Sequence, residues 1–588
     1  MAAFPNLRRM LAFLRPHWKW IALSQVFILL SAVFTVLIPA ELSRLINVGI
    51  GTSDIGVVVD SSLTMLLYAI IAAGFIMANL VVAVKIAEGA GNYLRTQVYR
   101  NVQQYSFRNL DTFPAGELMI RLTNDITQIN MAVQLSIRFL LLAPFMIVIA
   151  LILVGISSPD LLWIIILAIP AAGLLFGGTG ILLQKGYKVR QNRLGQMNTT
   201  LQEALSGIRV VKAFVRQGHE NKRFDDSNQS LYLASLVPQQ IIAFIIPGVF
   251  LILGLANAAA IWFGGTEIIA GTGMEIGELM AFSQYFFLIL AQMFLLSLVF
   301  PQIIAAEASA GRLAELIDTR PAIQDAPGAV PLDTERVKGR IVFEDVTFSY
   351  EGRGGAPAIS GISLMVEPGK TVAFLGPTGS GKSTVVNLVP RFYDVTEGRI
   401  TIDGTDVRDI TQESLRKAVL PALQASILFS GTLRENVSFG KPEADEDEII
   451  EAAKAADAHG FISAIPEGYD ARVARKGSNF SGGQRQRISI ARAITPRPKV
   501  IILDDSTSAV DVSTESRIQA AMGKVLAGTT QLVVAQRIST VLTADTIVLM
   551  DGGKIVASGS HRELMETSPL YREIFDSQLG GVRKEDVA

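Results

Sequence analysis

The chain has no cysteine in 588 residues. Disulfides and thiolate metal sites are therefore excluded, and four scattered histidines form no metal motif. A net charge of −1 leaves no basic excess, which argues against nucleic acid as a partner. No internal repeat or low-complexity tract is present. Only 18% of residues are charged while 50% are hydrophobic, and the two are not evenly mixed. From Trp20 to Pro301 apolar runs of membrane-spanning length follow one another, whereas beyond Asp318 the pattern is that of a soluble fold. A membrane half and a soluble half follow, within the two to four domains that this length allows.

Proline is missing from Pro39 to Pro114 and from Pro170 to Pro238, so helices are free to continue well past a bilayer. Six spans are expected, over 20–43, 62–85, 132–156, 161–184, 239–263 and 276–304, each near the ~20 residues that a bilayer core requires. Segments 44–61, 157–160 and 264–275 hold only Arg44 as a cation. Segment 86–131 holds Arg95, Arg100, Arg108 and Arg121, and segment 185–238 holds nine lysines and arginines. The positive-inside rule then places both termini in the cytoplasm, in a multi-pass protein of the cell's inner (plasma) membrane. Residues 1–18, basic at Arg8, Arg9 and Arg15 and without a small-residue cleavage site, read as an amphipathic elbow on the membrane surface. The stretches Thr112 to Leu118 and Phe214 to Glu220 are expected to break the long cytoplasmic helices and mark turning points.

The soluble half carries Gly376-Pro377-Thr378-Gly379-Ser380-Gly381-Lys382-Ser383-Thr384, which fills every fixed place of the G-x-x-x-x-G-K-[ST] loop. The glycines let backbone N–H groups turn around phosphates, Lys382 reaches the terminal phosphates, and the Ser383 hydroxyl is placed to ligate magnesium. The context is right: an apolar strand, Thr371 to Leu375, precedes the loop, and a helix-compatible run, Thr384 to Pro390, follows it. A nucleoside triphosphate ligand is implied. Upstream, the strand-rich run Ile341 to Tyr350 ends on a tyrosine able to stack on a base. Downstream, the buried-strand run Val500 to Leu503 ends in Asp504, a carboxylate of the kind that holds magnesium in phosphate-loop enzymes. Between them, Phe480-Ser481-Gly482-Gly483-Gln484 precedes a helix expected over Arg485 to Ile494, whose N-terminus suits an anion.

Together these parts resemble the ATP-binding cassette (ABC) family, and their order resembles a half-size exporter. The resemblance spans essentially the whole chain. It implies an all-α six-helix transmembrane domain followed by an α/β phosphate-loop NTPase domain, over 19–318 and 339–588, with a linker at 319–338. ATP and Mg2+ are the implied cofactors. Family roles fall on Tyr350 (adenine), Gly376 to Thr384 (phosphates), Gln424 (magnesium and attacking water), Asp504 (magnesium), Phe480 to Gln484 (signature facing a partner's nucleotide) and Ser508 to Asp511 (the loop crossing to a partner). The two break segments look like coupling helices.

Three positions depart from the family pattern. The general-base glutamate is replaced by Asp505, the γ-phosphate histidine by Gln536, and an acidic residue before the signature by Arg475. Asp505 is one methylene short of the water it must align, and Gln536 carries no charge. This combination resembles the degenerate subunit of heterodimeric bacterial multidrug exporters. The implied partners are a second half-transporter chain, the lipid bilayer and an amphipathic small-molecule substrate or lipid. A homodimer with slow hydrolysis, an importer of a siderophore-like ligand and an ATP-gated regulatory protein are the alternatives. Phe75, Met77, Gln284, Tyr285, Phe286, Gln292 and Phe294 are candidates to line a membrane cavity. Arg138, a cation in the third span, is expected to face a cavity or a partner, or to snorkel to the surface.

Overall fold

The computed structural model describes residues 4–579, apart from 272–273, 334, 507–509, 511 and the side chains of 181, 184, 512 and 579. Two compact units emerge, one of Met1–Gln103 with Ala115–Thr319, the other of Gln104–Pro114 with Arg320–Ala588.

In the first unit six helices are long and apolar enough to cross a membrane: Pro5–Ile50, Ile55–Gln103, Ala115–Ser157, Pro159–Ser206, Gln217–Ala270 and Ile276–Asp318. Every expected span falls inside one of them, and each helix outruns the bilayer, as the proline-free stretches imply. Pro39, Pro170, Pro238, Pro247 and Pro301 sit within helices rather than at their ends. Membrane helices tolerate this because neighbouring groups satisfy the freed carbonyls. The core of the bundle is built on Phe282, Tyr285, Phe286 and Ile289, all essentially buried, packed with small residues such as Ala32 and Ala150.

Polar side chains tie the helices beyond that core. The Glu307 carboxylate accepts from the backbone N–H groups of Asn6 (3.1 Å) and Leu7 (2.8 Å), fixing the elbow. Buried Asp125 accepts from Arg312 and from the Ser309 hydroxyl, while buried Arg121 pairs with Glu117 and Glu315.

Both turning points begin earlier than expected. The second long helix ends at Gln103, a six-residue helix spans Phe107–Thr112, and helix resumes at Ala115. The fourth ends at Ser206, Ile208–Ala213 forms another short helix, and Gln217–Glu220, expected to be a break, is already helical. Proline marked only the far side of the first turn. The Ser106–Asn109 capping box and Gly207 mark the true exits, with Val215 at φ +54° completing the second turn.

The second unit is α/β. Its main sheet has six strands in the order Lys554–Gly559, Thr546–Asp551, Thr371–Leu375, Thr530–Val534, Val500–Asp504, Val419–Ala422. All pairings are parallel except that of the first two. An antiparallel sheet orders Ile359–Val366, Ile341–Phe348, Glu397–Ile402 and Thr405–Asp406. The central parallel strands read as apolar runs because both faces are covered. A separate apolar cluster, around Leu433, Ile449, Ile488 and Ile490, forms a helical part. Residues 320–333 lie along this unit: Val330 bridges Ile410, and the Leu332 N–H donates to Ser414 Oγ at 2.9 Å.

Candidate nucleotide site

Four strands, Thr371–Leu375, Thr530–Val534, Val500–Asp504 and Val419–Ala422, run parallel, so their carboxyl ends share one edge of the sheet. In open α/β sheets that edge is where ligands bind. The phosphate loop, Gln536, Asp505 and Gln424 each follow one of these ends. Residues up to 160 positions apart in sequence are thereby gathered in one place by strand polarity alone.

The loop turns into the helix Lys382–Leu388 at Gly381, where φ is +93°. A Cβ at this position would lie 2.6 Å from Ile359 Cγ2, so both backbone and space require glycine. Lys382 is 6% exposed and its Nζ donates to the Gly376 and Pro377 carbonyls, each at 2.8 Å. Burial lowers its pKa below the ordinary lysine value, and the carboxylates of Asp505 and Asp504 oppose that shift. The Ser383 hydroxyl donates to Asp504 Oδ1 at 2.8 Å. Asp504 is 5% exposed, and burial raises its carboxyl above the usual range, with the Ser383 bond working against it. A buried carboxylate bonded to a hydroxyl at the mouth of an anion-binding loop is a donor set of hard oxygens, so these residues fit Mg2+ held jointly with phosphate.

Asp505 has φ +49° and its N–H donates to the Val534 carbonyl at 3.1 Å, pinning it to the neighbouring strand. Burial raises its carboxyl as well. Its Oδ2 accepts from Gln536 Nε2 at 3.1 Å, so the two departures from the family pattern touch each other. With Glu515, Arg537 and Thr540 they line a cavity of about 370 Å³. Tyr350, just past the strand Ile341–Phe348, is half-exposed. Its hydroxyl lies 3.1 Å from Thr384 Oγ1, and its ring meets Phe348 and Tyr393 edge-on. Gln424 lies exposed in the loop after Val419–Ala422.

Phe480, at the head of the stretch Phe480–Gln484, belongs to the other apolar cluster. Ser481 caps the helix Gly482–Ile494 in a reciprocal box: its N–H donates to Gln484 Oε1 at 2.9 Å, and its Oγ accepts from the Gln484 N–H at 3.3 Å. Phe480 is buried beneath, while Ser481 and Gly482 face outward. Arg475 is exposed in the short turn Arg475–Gly477. Of the expected crossing loop, Ser508, Ala509 and Asp511 lie outside the described residues; Val510 is buried, and its carbonyl accepts from Arg537 Nη1 at 3.2 Å.

Some residues were missed in the sequence. Phe107, in the short helix Phe107–Thr112, stacks on Phe392 with centroids 4.1 Å apart, and Asp111 Oδ2 accepts from the Tyr393 hydroxyl at 2.8 Å. Tyr393 lies in turn 5.3 Å from the Tyr350 ring. The adjacent aromatics Phe392-Tyr393, directly after the phosphate-loop helix, were the available signal. Among the membrane candidates, Tyr285, Phe286 and Gln292 pack inside the bundle instead of lining a cavity, because they fall on the inward stripe of Ile276–Asp318. Gln284 does line an apolar cavity of about 510 Å³, together with Thr35, Pro39, Ile261, Ser283 and Phe287. Arg138 is half-buried with its guanidinium 4.9 Å from the Phe139 ring centroid.

Six membrane-length helices and a phosphate-loop nucleotide fold in one chain define an ATP-dependent membrane transport protein. Residues 21–293 match the family model described as the ABC transporter transmembrane region, and 359–508 the one described as ABC transporter. The chain is 33% identical over 577 residues to the uncharacterized ABC transporter ATP-binding protein YfiB of Bacillus subtilis (strain 168), covering 98% of this chain and 99% of the relative. It is 36% identical over 493 residues to an ATP-dependent lipid A-core flippase of Syntrophus aciditrophicus (strain SB), covering 84% and 80%. A solved bacterial Atm1-family ABC exporter with ATP bound superposes with a TM-score of 0.79 at 26% identity, over 95% of this chain and 98% of that one. The chain belongs to the ABC transporter family, as an exporter-type half-transporter of the bacterial inner membrane.

Proposed function

We propose that this half-transporter is the degenerate member of a heterodimer that exports amphipathic small molecules or lipids. In this reading residues 19–318 form the transport part and 339–588 the nucleotide part, with both termini cytoplasmic. The carrying observation is the pair Asp505–Gln536. The two side chains at the places of base and γ-phosphate sensor hydrogen-bond to each other at 3.1 Å, and neither combines full reach with charge. Loss of a base costs about 10² to 10⁴ in rate and loss of one charge-stabilising donor about 10² to 10³.

Binding is spared. Tyr350 stacks on adenine, the loop Gly376–Thr384 wraps the phosphates, and Lys382 exchanges its two backbone carbonyls for phosphate oxygens. Ser383, Asp504 and Gln424 would hold Mg2+, which when bound offsets the charge of the phosphates and of the buried carboxylate. Nucleotide held this way at this chain's own loop turns over slowly. The signature is intact and outward-facing: Ser481 and the helix N-terminus of Gly482–Ile494 are available to a partner's γ-phosphate. Kinship with lipid A-core flippases, and an apolar cavity of about 510 Å³ carrying the Gln284 amide, support a substrate with both apolar and polar parts.

Two substitutions in the assembled transporter test the assignment. Lys382→Ala damages the slow site, whereas Gly482→Asp places a carboxylate against the partner's phosphate, so Gly482→Asp lowers ATPase activity and transport more. If Lys382→Ala is the more damaging and Gly482→Asp leaves activity near wild type, the assignment of this chain as the degenerate half fails.

A further inference from the structure

The last described helix, Pro569–Leu579, ends beside the nucleotide site's switch segment, residues 536–538. One side chain makes the connection. Gln578 Nε2 donates to the Gln536 carbonyl at 3.0 Å, and Gln578 Oε1 accepts from the Ile538 N–H at 2.8 Å. A single primary amide thus holds the peptide groups on both sides of Arg537, in the way an adjoining strand would. Those two bonds fix the backbone on both sides of Arg537, next to the Gln536 side chain that bonds Asp505, while the Ala535 N–H, donating to the Phe374 carbonyl at 3.1 Å, holds the exit from the strand Thr530–Val534.

The helix that carries Gln578 is itself firmly seated. Tyr571 is fully buried, its hydroxyl lies 2.7 Å from His561 Nδ1, and its N–H donates to Ser568 Oγ at 3.2 Å. Ile574 and Phe575 pack on the cluster that contains Ala535, Ile538 and Val541, which brackets the switch segment. From the far side, the Gln519 Nε2 donates to the Thr540 carbonyl at 3.0 Å, and the Thr540 hydroxyl donates to buried Glu515 at 2.6 Å. The segment is therefore held from both sides, and Gln578 is the part of that hold that bonds the Gln536 backbone itself.

We propose that Gln578 is a positioning residue for this chain's nucleotide site: by bonding the Gln536 carbonyl and the Ile538 N–H it sets the switch segment so that Gln536 meets the terminal phosphate. It acts through the backbone and touches no nucleotide. The inference concerns the geometry of the switch and holds whether the site hydrolyses slowly or quickly.

The test uses the assembled transporter with Mg-AMPPNP, which removes hydrolysis from the readout, and two variants, Gln578→Ala and Gln578→Glu. Amide hydrogen exchange is followed in peptides covering residues 532–541, and the release rate of Mg-AMPPNP from this chain is followed after a cold chase. Gln578→Ala frees the Ile538 N–H, so exchange in that peptide rises at least tenfold, and release quickens about three- to tenfold, the worth of one neutral hydrogen bond. Gln578→Glu still accepts from the Ile538 N–H but cannot donate to the Gln536 carbonyl, so it restores the exchange protection and leaves release fast. In both variants Tm and the exchange of the central strands stay at wild-type values. Wild-type exchange and release in Gln578→Ala would overturn the proposal, and so would a lowered Tm with faster exchange throughout the unit, which would make the residue a general stabiliser of the fold.

Discussion

Replacing Phe107 by alanine should disconnect the short helix Phe107–Thr112 from the nucleotide-binding unit while leaving ATP binding alone. The Phe107 ring lies 4.1 Å from Phe392 at an interplanar angle of 23°, and Phe392 is 7% exposed. Burying a whole phenylalanine ring is worth about 1.5–3 kcal/mol, and an aromatic pair adds about 0.5–1.5. Phe107 is only half-buried, so a loss of about 2 kcal/mol follows, or about 30-fold in the docking equilibrium. The Asp111–Tyr393 bond remains and keeps the loss from being complete. The chain has no cysteine, so a single Ser53→Cys, in the segment between the first two spans, reports motion of the membrane unit through its labelling rate. The ATP-dependent change in that rate should fall at least tenfold in Phe107→Ala, with Mg-ATP affinity unchanged and Phe107→Tyr close to wild type. A wild-type labelling response in correctly folded Phe107→Ala would refute the docking role assigned to this stack.

Tyr350→Ala removes the ring that would stack on adenine and should weaken ATP binding by about 1–2 kcal/mol in a titration. Tyr350→Phe, which keeps the ring and gives up only the contact with Thr384, should stay within about threefold of wild type. Burial raises the Asp505 carboxyl, so its contribution to stability is fully present below its unfolded value of about 3.9 and is lost as pH rises through the higher folded value. Asp505→Asn does not titrate, so its Tm advantage over the nucleotide-free wild type should grow with rising pH and then level off; a constant difference would show that the Asp505 carboxyl is not shifted.

The two-part architecture was legible because membrane spans and parallel strands are both long apolar runs, told apart by length and by flanking charge. The phosphate loop was legible because Gly381 and Lys382 answer to local constraints that leave few alternatives. Asp504 followed from the same logic, a carboxylate closing a fully buried strand. Helix exits were harder. Pro114 stands on the far side of the first turn, while the long helix ends already at Gln103, where no proline marks it and only the Ser106 cap of the next helix follows, and prolines such as Pro238 and Pro247 stay inside a helix because the bundle accommodates them. The residues that dock the short helix, and Gln578 on the switch segment, depend on contacts between distant parts of the chain: Phe107 and Phe392 are 285 positions apart, and Gln578 lies 42 positions after Gln536. No local pattern encodes such pairings. The direct bond between Asp505 and Gln536 was also beyond the sequence, although each had been singled out, because it depends on the register of the strands Val500–Asp504 and Thr530–Val534.

The central claim is that this chain binds nucleotide at a site that scarcely hydrolyses it, and the most direct measurement is Mg-ATP binding and steady-state phosphate release on the purified chain alone. Saturable Mg-ATP binding, with turnover at least about 10²-fold below the ~10 s⁻¹ typical of enzymes, is the expected result. Turnover of about 10 s⁻¹ by the chain alone would contradict it.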